Sequence, residues 1–390
     1  MTFRYNLGIA LLLLTSILSA CRGGDSSAPP PPPTTGIFKF NVVTAGTDVD
    51  NEFFMILDGG NPYNMPSTWA DTMSLGPGTH TLAWSGLAFN CDVVSAPTSF
   101  EIVVGKITTV DVRASCTPYL SNAIVYTRGD GFRQVIVMRP DGSRSEQLTN
   151  DAGAYSAPAV SPDGQWIAVA GGGPFLSAGI YLFDRFGKGR AKLVDISPFG
   201  GSPTWSPDGA RIAFRNILPG PYGDYGRIFV INRDGTGLRQ LSPEVAATDY
   251  RYDDAPSWSP DGKRVVFSRD WVLYLINPDG TGLDSTGVNG QHPSWSPDGT
   301  QIAYSGIGAA PDNGLFVTDM SFGRRSLTTP GAGVESDRWP RWSPDGRQLV
   351  FYRVENGTFH LYKVGADGNG VARLNNLPDS ESEPSWSWNH

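Results

Sequence analysis

The sequence predicts an all-β chain: a six-bladed β-propeller preceded by a small β-sandwich domain. Two interleaved repeats and the way they meet at the chain ends carry that reading. The first repeat is P-x-W-S-P-D-G followed by a short β-rich run. It occurs as PAVSPDGQWIAVA from Pro158, PTWSPDGARIAFR from Pro203, PSWSPDGKRVVFS from Pro256, PSWSPDGTQIAYS from Pro293 and PRWSPDGRQLVFY from Pro340. A sixth copy, PSWSWNH, starts at Pro384. The motif aspartates Asp163, Asp208, Asp261, Asp298 and Asp345 are spaced 45, 53, 37 and 47 residues apart, and self-similarity at that period marks radially repeated blades.

The second repeat is a strand, an Asp-Gly turn and a short strand. Examples are RIFVINRDGTGLRQL (Arg227 to Leu241), LYLINPDGTGL (Leu273 to Leu283) and HLYKVGADGNGVARL (His360 to Leu374), with related copies near Val135, Ile180 and Leu315. One unit therefore holds four strands: A (P-x-W-S), B after the P-D-G turn, C, and D after the Asp-Gly hairpin, which is the content of a propeller blade. The last copy has strand A alone, and the first, from about Ala123, lacks it. Pairing 384–388 with 123–127 would complete one blade from both ends and remove two open sheet edges.

These motifs resemble the TolB-like propeller family, over roughly residues 120–390. The resemblance implies the fold. Two departures weaken any transfer of the Tol–Pal role: a β domain stands where that family carries an α/β domain, and the chain reads as lipidated rather than soluble. The repeat residues themselves read as structure. Pro-Asp-Gly is turn chemistry, and Trp205, Trp258, Trp295, Trp342 and Trp386, at one repeat position, read as core between blades.

The N-terminus reads as an export signal over residues 1–20. Arg4 supplies the charge, and Leu7 to Leu18 is apolar but shorter than the roughly 20 residues of a spanning helix. It ends Leu18-Ser19-Ala20-Cys21, which resembles a bacterial lipobox. Cys21 is the expected lipid attachment site, holding the protein on a membrane through acyl chains at about 0.8 kcal/mol per buried CH2. Arg22 after the cysteine points to the outer membrane. Residues 21–35, with RGGDSSAPPPPPTT from Arg22, form a semi-rigid proline-rich tether.

Residues 36–117 read as the small sandwich. Phe38, Phe40 and Val42 alternate with polar residues, and further strands are expected at Phe53 to Leu57, Thr79 to Trp84, Ser99 to Val104 and Thr108 to Val112. The hairpin LGPGTHTLAWSGL from Leu75 resembles PEGA-type surface modules. Cys91 and Cys116 are the two remaining cysteines of an exported chain and are expected to form a disulfide. Asp48, Asp50 and Asn51 lack the glycine and distal glutamate of a calcium loop and read as a polar turn.

Function is less constrained. A formal charge of −8 disfavours nucleic acid. His80, His292, His360 and His390 show no metal-ligand spacing, there is no G-x-S-x-G elbow and no phosphate loop. The sequence thus points to a non-enzymatic binding scaffold with no cofactor and no metal. Blade topology separates two ends. The A–B and C–D turns are short and alike. The B–C and D–A connections, among them 170–179, 216–226 and 306–314, are longer and varied, and binding usually resides on such loops. Asp253, Asp254, His292, Asp337, Arg338, Trp339, Glu381 and Glu383 precede the strand-A prolines at that end. They are the candidate partner-binding residues, read as a negative rim with Arg338 as the nearest opposing charge, suited to a cationic segment or a bridging metal ion. The expected partner is a protein or peptide in the cell envelope, including one associated with peptidoglycan. The alternatives are a glycan hydrolase or lyase acting in the channel, and a purely structural envelope component.

Overall fold

The computed structural model describes residues 33–387 apart from 49–52, 67, 86, 89, 175, 221–223, 244–250 and 310. Cys21, the export signal and most of the tether lie outside the described residues. Among the described residues every regular element is a strand, arranged in eight four-stranded sheets.

Six of these sheets are blades. Blade II shows the order: Ala154–Val160 (A), Trp166–Gly173 (B), Leu176–Asp184 (C) and Ala191–Asp195 (D), each antiparallel to the next. Blades III, IV, V and VI begin with Gly201–Trp205, Asp253–Trp258, Gln291–Trp295 and Val334–Trp342 as strand A. Blade I is closed from both ends of the chain. Glu381–Trp386 lies antiparallel to Ile124–Arg128, with Trp386 opposite Ile124 and Glu381 opposite Arg128. Ser387 completes the closure. Its hydroxyl receives the Ala123 amide at 2.6 Å, and its own amide donates to the Ala123 carbonyl at 2.8 Å.

The Ser-Pro-Asp-Gly turns explain the first repeat. In blade IV the Ser259 hydroxyl donates to Asp261 at 2.7 Å and accepts the Arg264 amide at 2.9 Å, while Asp261 also accepts the Lys263 amide at 3.0 Å. The same three bonds recur around Ser161, Ser206, Ser296 and Ser343. The motif aspartates are thus consumed in closing turns. The repeated tryptophans are buried among aliphatic side chains of adjoining blades. Trp205 and Trp342 donate their indole N–H to the Ala159 and Ser294 carbonyls of the preceding blade, which ties blade III to blade II and blade VI to blade V.

Residues 36–116 form the other two sheets. One runs Thr68–Leu75, Gly36–Gly46, Ile107–Cys116, Cys91–Ser95; the other Pro62–Met65, Phe53–Leu57, Gly78–Ser85, Ser99–Ile102. Phe38, Phe40, Val42, Met55, Leu82 and Val112 share one core between them. Strands Pro62–Met65, Thr68–Leu75 and Cys91–Ser95 escape the sequence pattern because most of their side chains are exposed or half-buried. A disulfide joins Cys91 and Cys116, which sit opposite each other in the ladder.

This region touches the tight-turn end of the propeller. Asp48 accepts the Tyr119 amide and pairs with Arg185 of a C–D turn. The polar turn therefore serves as a clamp, and Asp50 and Asn51 lie outside the described residues. Arg139 and Arg144, flanking another C–D turn, donate to the Cys91 carbonyl at 3.1 and 2.8 Å, and Arg139 pairs with Asp92 at 3.0 Å.

Candidate binding site at the channel mouth

Each strand A is interrupted at the residue before its proline. Proline has no N–H to give to a ladder, and it bars its predecessor from right-handed helical backbone. The pairing with strand B slips there in all six blades. The residues concerned, Ala157, Ser202, Ala255, His292, Trp339 and Glu383, all adopt left-handed backbone with φ between 47° and 60°. Such a conformation costs about 1–2 kcal/mol for a residue with a side chain. Its recurrence in every blade makes it part of the architecture. The bulge re-aims the side chains on either side, and this decides which of the candidate residues reach the channel.

Two residues before the bulge the side chains turn inward between strands. Asp253 is fully buried and forms a bidentate pair with Arg269 at 2.5 and 2.8 Å. Asp337 is equally buried and grips Arg353 at 2.6 and 2.9 Å. Glu381, also fully buried, stands opposite Arg128 and accepts from Asn375 at 2.9 Å. These three acids are therefore withdrawn from the rim on which the sequence placed them. They latch strand A to strand B or to the adjacent loop, because at that register position the side chain cannot reach water.

The remaining candidates converge. Asp254 pairs with Arg215 at 2.7 Å and is 22% exposed. Glu383 accepts the Ala157 amide at 2.8 Å. Burial raises both carboxyls above their ordinary range, opposed by Arg215 at Asp254 and by the Ala157 amide at Glu383. His292 stacks on Trp339 with ring centres 4.1 Å apart. Burial holds this imidazole well below its usual pKa, helped by Arg338, Arg341 and Arg215, so it is neutral at pH 7. Arg338 is exposed, and Arg133 reaches Ser382 at 3.1 Å.

The charge of the mouth is accordingly reversed from expectation. With Asp253, Asp337 and Glu381 latched away, Asp254 and Glu383 face Arg133, Arg215, Arg338 and Arg341. Four guanidiniums against two carboxylates favour an acidic visitor over a cationic segment or a metal ion. Among the described residues, no cluster of three or more metal-ligating side chains occurs.

Two of the long loops are also shorter than they read. Residues 170–179 belong largely to the hairpin of Trp166–Gly173 with Leu176–Asp184, and 216–218 and 225–226 to that of Arg211–Leu218 with Tyr225–Asn232. Glycine suggested a loop at 170–179, but the ladder there continues through Gly171 and Gly173.

Comparison with known proteins fits this geometry. The model of the TolB beta propeller domain matches residues 117–389. The chain belongs to the TolB β-propeller family. It is 34% identical over 137 residues to the Tol-Pal system protein TolB of Anaeromyxobacter dehalogenans, covering 34% of this chain and 28% of that protein. It is 26% identical over 123 residues to dipeptidyl-peptidase 5 of Aspergillus fumigatus, covering 27% of this chain and 17% of the relative. The chain thus spans less than a third of the length of the curated relatives it matches. The solved structure of TolB from Acinetobacter baumannii shares the fold with a TM-score of 0.58 at 20% identity, over 69% of this chain and 67% of that one.

Within this TolB-family propeller the loop end carries aromatic residues that the sequence reading passed over. Phe132, Phe199, Tyr252 and Trp271 are 53%, 71%, 38% and 60% exposed, and all four lie in or beside B–C and D–A connections. Arg215 sits over the Tyr252 ring at 5.5 Å. Arg341 was also missed, although the repeat alignment displays it: it is the large member of a set of small residues between proline and tryptophan.

Proposed function

We propose that this protein is an exported, lipid-anchored component of the cell envelope that captures a protein or peptide partner at the loop-end mouth of its propeller. The carrying observation is the placement of Asp254, His292, Arg338, Trp339 and Glu383 around one opening on a rigid six-blade frame, within a surround of exposed aromatics. Aromatic anchors beside guanidiniums are the composition of protein-binding surfaces. The excess of guanidiniums selects an acidic segment and makes association salt-sensitive. The contacts of the small domain lie at the opposite end, so a tether from Cys21 would leave the mouth facing away from its membrane, the outer membrane in a two-membrane cell. The naming of one relative for the Tol-Pal system agrees with a partner in the envelope.

Catalysis in the channel receives no such support. The cavity along the axis is about 120 Å3, against roughly 300–1,000 Å3 for ordinary ligand pockets. The reading is therefore of a scaffold without turnover.

The test is cross-linking in the native envelope followed by co-purification. Arg338→Glu with Trp271→Ala should abolish capture of the wild-type partner, while Lys263→Glu with Arg347→Glu, on the tight-turn end, should leave it intact. The reverse pattern would assign binding to the other end. Cys21→Ser should release the protein from membranes or stall its processing; equal partitioning of mutant and wild type would remove the anchor from the proposal.

A further inference from the structure

The residue between proline and tryptophan in each P-x-W-S repeat lines the axial channel. In five blades it is small: Ala159, Thr204, Ser257, Ser294 and Ser385. In blade VI it is Arg341. A single guanidinium therefore enters a ring of methyl and hydroxyl groups, in a cavity of about 120 Å3.

Arg341 is poorly served by the protein. It has five N–H donors, and its one hydrogen bond among the described residues runs from Nη1 to the carbonyl of its own neighbour Pro340 at 2.9 Å. Its guanidinium carbon lies 5.7 Å from the centre of the Trp339 ring. Among the described residues no carboxylate lies within 4.0 Å of it. The nearest acid whose charge it feels is Glu383, already engaged by the Ala157 amide. Burial lowers the Arg341 pKa to about 10, so the group is still cationic at neutral pH. Arg341 is half-buried, so its guanidinium faces the channel, and the hydroxyls of its ring are suited to assist an acceptor held there. Ser257 receives the Trp295 amide at 3.3 Å, which leaves its own hydrogen free to donate.

We propose that the axial channel is an anion site, in which Arg341 binds one small oxyanion with the ring hydroxyls of Thr204, Ser257, Ser294 and Ser385 as neutral donors. Planar bidentate acceptance is what a guanidinium selects, and the cavity has room for a phosphate, a sulfate or a single carboxylate. The site stands without the partner-capture reading, because a free anion would suffice to fill it.

The experiment is calorimetric titration of the purified full chain with inorganic phosphate, sulfate and acetate in turn, in a buffer free of other oxyanions. One saturable site per chain is expected. Arg341→Ser makes blade VI match three of the other five at this position, so the variant should fold, which its melting curve would verify, and it should weaken the anion about tenfold or more. Glu383→Gln removes the competing charge and should tighten binding. Tighter binding of phosphate or sulfate would identify a free tetrahedral anion as the occupant, and tighter binding of acetate a carboxylate borne by a larger ligand. Absence of saturable binding for all three anions, or equal affinity in wild type and Arg341→Ser, would overturn the proposal.

Discussion

The two ends of the propeller are made from the same six blades and solve different problems. At the tight-turn end each full repeat closes with one set of bonds, serine to aspartate and both to the following backbone, as around Ser259 and Asp261. At the loop end the positions at and just before the bulge hold Asp254, His292, Arg338, Trp339 and Glu383 across four blades, although the backbone beneath them repeats. Where backbone and side chain repeat together, the residue closes the fold. Where the backbone repeats and the side chain does not, the frame is being used to present something. Arg341 is the sharpest instance, one departure in a ring of six.

The largest test of this division lies just beneath the mouth. Asp253 and Arg269 belong to the loop end by position and to the frame by burial. Arg269→Met should cost about 3–5 kcal/mol, because it strands a buried carboxylate. Adding Asp253→Leu should recover much of the loss. Urea denaturation of the three proteins measures both. A loss below about 1 kcal/mol for Arg269→Met would return Asp253 to the surface layer.

Next in size is the disulfide of the region docked on the tight-turn end. The bridge spans a separation of 25 residues, which the chain-entropy model values at roughly 3 kcal/mol. Cys91→Ser with Cys116→Ser should lower the first melting transition and leave the propeller transition in place. A joint loss of both transitions would show that the two regions fold as one unit. At the tight turns, Ser259→Ala should cost about 1 kcal/mol, a net hydrogen bond, with no effect on partner capture.

Much of this arrangement was legible beforehand because it is periodic. The turn aspartates, the buried tryptophans and the closure of one blade from both chain ends follow from comparing the repeats; the pairing expected for 384–388 with 123–127 is found between Glu381–Trp386 and Ile124–Arg128. The inward turn of Asp253 and Asp337 did not follow, because a bulge shifts the facing of side chains and leaves no apolar pattern of its own. A subtler signal was present: Asp253 with Arg269 and Asp337 with Arg353 recur at the same separation of 16 residues. The reversal of charge at the mouth was out of reach without that pairing. Tyr252 and Trp271 were passed over for another reason. Their connections lack the Gly and Asn that announce a turn, so nothing marked them as exposed.

The ends should also part in acid. Asp208, Asp261, Asp298 and Asp345 are held below the ordinary carboxylate range, chiefly by their serine hydroxyls. Their folded pKa values are depressed, so the stability they contribute is present above about pH 4 and is lost as pH falls through the folded values. Asp254 and Glu383 are raised by burial, so the folded state takes up their protons first. For them stability increases as pH falls from above the raised values toward about 4. Denaturation midpoints measured from pH 8 to pH 3 should rise modestly on mild acidification and then drop. Glu383→Gln should flatten the rise and spare the drop. An unchanged rise in that variant would place the proton elsewhere.

The smallest expected change concerns one exposed turn at the loop end. The B–C connection of blade IV is Asp270-Trp271, both in left-handed backbone at φ 45° and 67°. The corresponding connection of blade VI is Asn356-Gly357, with φ 51° and 76°, the pairing that such a two-residue turn prefers. A tryptophan that is 60% exposed recovers little of the left-handed cost by burial. The turn is held by its neighbours: Asp270 accepts the Tyr252 amide at 2.9 Å, and the Trp271 carbonyl accepts the Gly290 amide at 2.7 Å. Trp271→Gly keeps both bonds and relieves the strain, so it should stabilise the protein by a few tenths to about 1 kcal/mol. If the loop end presents its aromatics to a partner, the same substitution should weaken capture, so that stability and binding move in opposite directions. A gain in stability with undiminished capture would remove Trp271 from the binding surface and leave the mouth residues to act alone.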